Sequence, residues 1–154
     1  MCQGFEALRA TGAEIERPWL LSAVARAYGH AGRADEGLAV LEEALATVNK
    51  TGKYLDASGL YGRKGELLLA QQGPRGKVAA AAEACFDQAL ALARRQRTKA
   101  LELRADMSLA RLWQQQGKHA DARQLLAPIY GWFTEGFDTA DLQEAKTLLE
   151  QLQP

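Results

Sequence analysis

The chain has 154 residues, with 19 basic and 19 acidic side chains, a formal net charge of zero and a mean hydropathy of −0.27. That length holds one modest core or a short stack of helix pairs. The balanced charge excludes a net field drawing the chain to nucleic acid or an anionic membrane.

No stretch approaches the roughly twenty apolar residues a spanning helix needs, and the start Met1-Cys2-Gln3-Gly4 lacks the basic-then-apolar run of a signal peptide. Cys2 and Cys85 are too far apart in sequence for a disulfide framework or a metal clip. A reducing cytoplasm is the expected setting.

Taken in chain order, residues 1–16 read as a partial leading helix, with Phe5 and Leu8 on one face and Thr11-Gly12 ending it. It has no sequence partner before it, which predicts a fragment or relative of a longer array. Its exposed apolar edge predicts a homo-oligomer through this helix, because uncapped stacks are poorly soluble. Pro18 suits the first turn of the next helix, where its missing N–H is no loss. That helix runs to about His30 with Leu20, Leu21, Val24, Ala27 and Tyr28 at helical spacing. Gly32 to Asp35 turn the chain, and a second helix from about Ala34 to Asn49 carries Leu38, Leu41, Leu45 and Val48. Thr51-Gly52 stops it forty residues after Thr11-Gly12, and the same offset superposes Ala25 on Gly65 and Tyr28 on Leu68.

The third predicted helix spans about 53–72, although Gly59, Gly62 and Gly65 weaken it by roughly 1 kcal/mol each relative to alanine. Gly65 falls at a small-residue repeat position and reads as a close helix approach; Gly59 and Gly62 have no evident role. Gly73-Pro74-Arg75-Gly76 is the strongest breaker in the chain. A helix over about 77–95 follows, with a small-residue run Ala79 to Ala82. The third pair covers about 98–116 and 118–133 around Gly117, and Pro128 should tilt its last turn. Asp138 is the expected N-cap of a final amphipathic helix through Leu152. The chain thus divides into repeats at 17–50, 53–95 and 98–133, closed by a capping helix at 138–152. A helix–turn–helix unit recurring at about forty residues marks a helical solenoid.

The segment from Ala31-Gly32-Arg33-Ala34-Asp35 through Gly37, Leu41, Ala44 and Leu45 resembles the tetratricopeptide family. So does the third unit, from Leu109-Ala110 to Trp113, then Gly117-Lys118 and Ala120-Asp121-Ala122. The period is nearer forty than the family's thirty-four, the loop 73–76 is an insertion, and the repeat-end proline is missing. Lys64 to Leu69, Ser108 to Trp113 and Gly131 to Leu142 also resemble the C-terminal region of bacterial multidomain proteins. Those join an adenylate-cyclase-like or DNA-binding domain to a signalling ATPase and helical repeats. The resemblance covers nearly the whole chain. It implies an all-α, right-handed α-α superhelix of helix pairs and a non-catalytic protein-interaction or regulatory module. Neither cyclase nor ATPase fits within this length.

The first helices of successive pairs line the concave face in that family. The resemblance therefore points to Trp19, Ser22, Arg26 and His30, to Glu66 and Leu69, and to Arg104, Met107, Arg111 and Gln114 as groove residues. Arginines in one groove suit a carboxylate-bearing or acidic peptide; a solvated face without ligand is the plainer reading. An effector-sensing domain binding a small anionic metabolite in the groove is the second functional reading. No cofactor, metal, nucleic acid or membrane is expected. Gly73 to Gly76 lacks phosphate-loop spacing. His30 and His119 read as surface histidines beside turn glycines, and Cys85 as a small buried hydrophobe. The basic run from Arg94 to Lys99 has two readings, a contact for nucleic acid or an acidic partner and the complement of a helix C-terminus, of which the second is the plainer. Trp132, Phe133 and Phe137 read as packing under the capping helix.

Overall fold

The structure, a computed structural model, describes residues 18–52 and 57–154, with burial defined from Leu20 onward. The leading helix expected over 1–16, the homo-oligomer contact through it, the side chain of Trp19 and residues 53–56 lie outside the described residues. The described chain is all-α. Its seven helices are α1 (Pro18–His30), α2 (Ala34–Thr51), α3 (Ala57–Gln72), α4 (Gly76–Arg95), α5 (Lys99–Gln115), α6 (His119–Trp132) and α7 (Ala140–Gln151). Consecutive helices pack antiparallel, and every helix touches its sequence neighbours.

The boundaries follow local chemistry. Pro18 opens α1. α2 closes at Gly52, whose φ of 68° places its N–H 2.9 Å from the Val48 carbonyl. α6 continues past Pro128 to Trp132. One boundary differs from the sequence reading: α7 is capped at Thr139, not Asp138. The Thr139 N–H and hydroxyl both donate to the Gly136 carbonyl, at 2.9 and 2.7 Å, and this tight turn delays the helix.

Burial follows the apolar stripes. In α4 the small residues Ala79, Ala82, Ala89 and Ala93 flank Phe86, all buried, at alternating spacings of three and four that keep them on one face. Gly65 of α3 lies under the Phe86 ring; an alanine Cβ there would stand 2.5 Å from Phe86 Cε1. The expected close approach is thus present. Gly59 and Gly62 face open space instead. Gly37 of α2 admits Leu67 of α3 in the same way, with 2.8 Å between an added Cβ and Leu67 Cδ1.

α5 is the innermost helix, in contact with α3, α4, α6 and α7. Residues 102–110 are buried except Arg104, and that stretch includes Glu102, Asp106 and Ser108. One apolar cluster joins α1, α2 and α3 with Leu92 of α4, and a second joins α4 and α5 with Leu68 and Leu69 of α3 and Leu125 of α6. A third joins α5, α6 and α7, and a small fourth sets Ala89 and Leu90 of α4 against Ala105 of α5. Polar ties stitch the seams. The buried Ser58 hydroxyl donates to the Ala89 carbonyl at 2.8 Å, and the Trp113 indole donates to Glu83 at 2.9 Å. Ser58→Ala is expected to lower the unfolding free energy by about 1 kcal/mol, the usual net worth of such a bond. Urea denaturation would read it, and an unchanged midpoint would assign the α3–α4 seam to apolar packing alone.

Candidate functional site

Helices two apart in sequence also touch: α1 meets α3, α3 meets α5, and α5 meets α7. Along this row the side chains expected to face a groove are drawn into helix–helix seams. Glu66 of α3 pairs with Arg63 one turn before it and accepts a hydrogen bond from Ser108 of α5 at 3.3 Å. A small cavity of about 130 Å³ lies beside them, bordered by Ser22, Gly59, Gly62, Glu66 and Arg104. Gly59 and Gly62 help keep it open, since an added Cβ would meet nothing within 4 Å.

On α5, Arg104 Nε donates to Asp141 at 2.7 Å, Arg111 Nη2 to Glu144 at 2.9 Å, and the Gln114 amide to Gln151 at 3.4 Å. All three acceptors stand on α7. The structure therefore brings Arg104, Arg111 and Gln114 into one stripe and turns that stripe toward the final helix. Arg26 and His30 are exposed on α1. Met107 is not a groove residue. It is 2 % exposed and belongs to the apolar cluster with Leu103 and Ala110. At 100° per residue it lies about 60° around the helix from Arg104, enough to carry it into the core.

The two ion pairs to α7 are partly exposed, so each contributes about 1 kcal/mol at most. Reversing both charges, Arg104→Glu with Arg111→Glu, also sets like charges together. It is expected to speed amide exchange in α7 by several-fold while α1 to α3 stay unchanged. Uniform exchange across the chain after reversal would remove the assignment.

A second constellation forms where α4 ends and α5 begins, on the edge that also carries the end of α6. Arg94 Nε and Lys99 Nζ hold the Glu102 carboxylate at 3.1 and 2.8 Å. Lys99 also stands over the Trp132 ring at 5.6 Å from its centroid. Burial alone would raise the Glu102 carboxyl, but the hydrogen bonds from Lys99 and Arg94 overcome it and hold it below the ordinary range. One turn further along α5, Asp106 is 1 % exposed and its Oδ1 has no hydrogen-bond partner. Burial pushes its carboxyl up to about 7, against a partial pull down from Arg94, while the nearby Glu102 charge adds to the rise.

Around this edge the aromatic reading changes. Phe133 packs against the α5–α7 cluster as expected, but Trp132 is 57 % and Phe137 46 % exposed. Phe137 meets Tyr130 edge-on at 6.0 Å, and Trp132 meets Phe133 at 5.2 Å. These contacts order the rings without covering them. Sequence reasoning took Arg97 only as one member of the basic run from Arg94 to Lys99; a signal that sets it apart was present, since Gln96-Arg97-Thr98 is a helix connection without glycine.

Other candidates for chemistry stay plain. Burial raises the half-buried Cys85 thiol above its ordinary value, against a weaker pull from Lys64, which keeps it protonated and unreactive. His30 and His119 are exposed. Among the described residues no three His, Cys, Asp or Glu side chains are grouped to hold a metal ion, and no helix is long and apolar enough to cross a membrane. No protein-family model, curated protein or solved structure matches the chain.

Proposed function

We propose that the chain is a non-catalytic protein-interaction or regulatory module, a right-handed superhelix of tetratricopeptide-like helix pairs closed by α7, and a relative of the repeat regions of larger bacterial signalling proteins. The observation that carries this reading is the row α1–α3–α5–α7, in which each helix meets the next but one while the even helices back it. Helix pairs that contact only their neighbours are the building scheme of repeat arrays, whose extended surfaces bind partners. The polar outer face of α7, with Gln143, Glu144, Lys146 and Glu150 exposed, suits a helix that ends such a stack.

The test is affinity capture with the full chain as bait, paired with native mass spectrometry of the purified protein. A reproducible, stoichiometric protein partner is the expected result. A retained small anionic metabolite with no protein partner would sink the module reading and favour an effector-sensing domain.

A further inference from the structure

Among the described residues, each of the six connections between helices holds a residue in the left-handed backbone region. Five use glycine, at Gly32, Gly52, Gly73, Gly117 and Gly136, with φ between 68° and 82°. The sixth, between α4 and α5, uses Arg97 at φ 55°, the only described non-glycine residue with positive φ. A long side chain in that region is disfavoured by clash of its Cβ, whereas glycine adopts it freely. The fold would accept glycine here, so the arginine calls for a reason that lies in its side chain. That guanidinium is exposed, and no described residue forms an ion pair with it.

Arg97 lines an open concavity of about 700 Å³ together with Arg94, Thr98, Lys99, Glu102 and Trp132. Three cations face one carboxylate there, and Glu102 is already shared between Arg94 and Lys99. The Trp132 indole stands out beside them, fixed from one side by the Lys99 ammonium. Exposed Phe137 extends the apolar surface along the α6–α7 connection. A large apolar face next to an unspent guanidinium matches a ligand that carries an apolar side chain next to a carboxylate.

Resting on the interaction-module reading, we propose that this edge docks an acidic peptide segment, with a carboxylate on Arg97 and a neighbouring apolar side chain on Trp132. Guanidinium takes carboxylate through paired hydrogen bonds, and indole supplies a rigid contact area at low entropic cost. The concavity opens widely to solvent, which suits a segment lying across it better than an enclosed metabolite. A nucleic acid strand fits less well. The chain as a whole carries no net positive charge, and Trp132 is the one aromatic ring lining the concavity, which leaves no row of rings for successive bases to stack on.

The test uses the full chain, isotope-labelled, titrated with a short synthetic peptide of glutamates around one phenylalanine. Parallel titrations use the same peptide with glycine in place of phenylalanine, and an oligothymidylate. The expected result is a set of shifts centred on the Trp132 indole N–H and on residues 94–99, weaker for the glycine peptide. Arg97→Gly and Trp132→Ala should each weaken binding about two- to fivefold, with Arg97→Gly leaving the melting temperature equal or higher. The proposal is overturned by absence of these shifts, by tighter binding of the oligothymidylate, or by an Arg97→Gly variant that binds equally well. It is also overturned if Arg97→Gly melts lower, since the arginine would then serve the fold. Unaltered partner capture by both variants would sink this site while the module reading stands.

Discussion

Gly65→Ala is expected to lower the unfolding free energy by about 2 kcal/mol, within the usual range for overpacking a tight interior. Two effects oppose each other. Alanine in a helix interior is favoured over glycine by roughly 1 kcal/mol. Against that, the new Cβ would stand 2.5 Å from Phe86 Cε1 and 2.9 Å from Cδ1 and Cζ. These are atoms of a planar ring that is itself 1 % exposed, so it cannot swing away as a flexible chain end would. The steric term therefore wins, and α3 and α4 must separate.

A double-mutant cycle isolates that contact. Phe86→Leu alone should also destabilise, through the void it leaves. In the Gly65→Ala background it should cost much less, with a coupling of at least about 1 kcal/mol. Gly59→Ala and Gly62→Ala provide the control. Nothing stands within 4 Å of an added Cβ at either position, so each should stabilise by up to about 1 kcal/mol. Guanidinium denaturation decides: a Gly65→Ala midpoint that rises with those controls would mean that the α3–α4 seam yields easily.

The contrast among these three glycines shows what was legible before the structure. Gly65 could be singled out because it occupies the small-residue position of a repeat, where a neighbouring helix must come close. The helix sequence was equally readable, since Gly32, Gly52, Gly73 and Gly117 punctuate it with residues suited to the left-handed turn. Quantities set by docking were not readable. Arg104 and Arg111 could be weighed against acids nearby in sequence, Glu102, Asp106 and Asp121, yet their partners are Asp141 and Glu144 on α7. Met107 reads as outward under the repeat pattern and is buried because α5 is enclosed by four helices. Trp132 and Phe137 read as core because aromatics usually are. They stand out because α6 ends at Trp132 and α7 begins only at Ala140, leaving a connection that carries both rings to the edge.

Asp106→Leu is expected to raise stability by about 2 kcal/mol at pH 8, since a buried charge without full pairing is replaced by an apolar side chain of similar size. The wild-type carboxyl is 1 % exposed with Oδ1 unpartnered, and it titrates near 7 in the folded chain against a reference of 3.8. The sign follows from proton counting. Between those two values the folded state holds the Asp106 proton while the unfolded chain has released it. Stability therefore falls as pH rises through that window, and the full cost is present above about pH 7. Glu102 acts in the opposite sense. Its folded carboxyl lies below the reference of 4.5, so its contribution is complete above that value and is lost only on further acidification. From pH 5 to pH 8 Asp106 thus stands as the changing carboxyl of the pair. The stability difference between Asp106→Leu and wild type should widen across this range by about 2 kcal/mol, at roughly 1.4 kcal/mol for each unit of pKa displacement realised. Asp106→Asn, which keeps the shape and removes the charge, should abolish the same pH dependence even if its amide leaves donors unpaired and lowers stability at every pH. Denaturation curves at half-unit pH steps give the readout. If wild type and both variants run parallel from pH 5 to pH 8, Asp106 titrates where it does in the unfolded chain, and its buried carboxylate has found a compensation that the α4–α5 seam does not reveal.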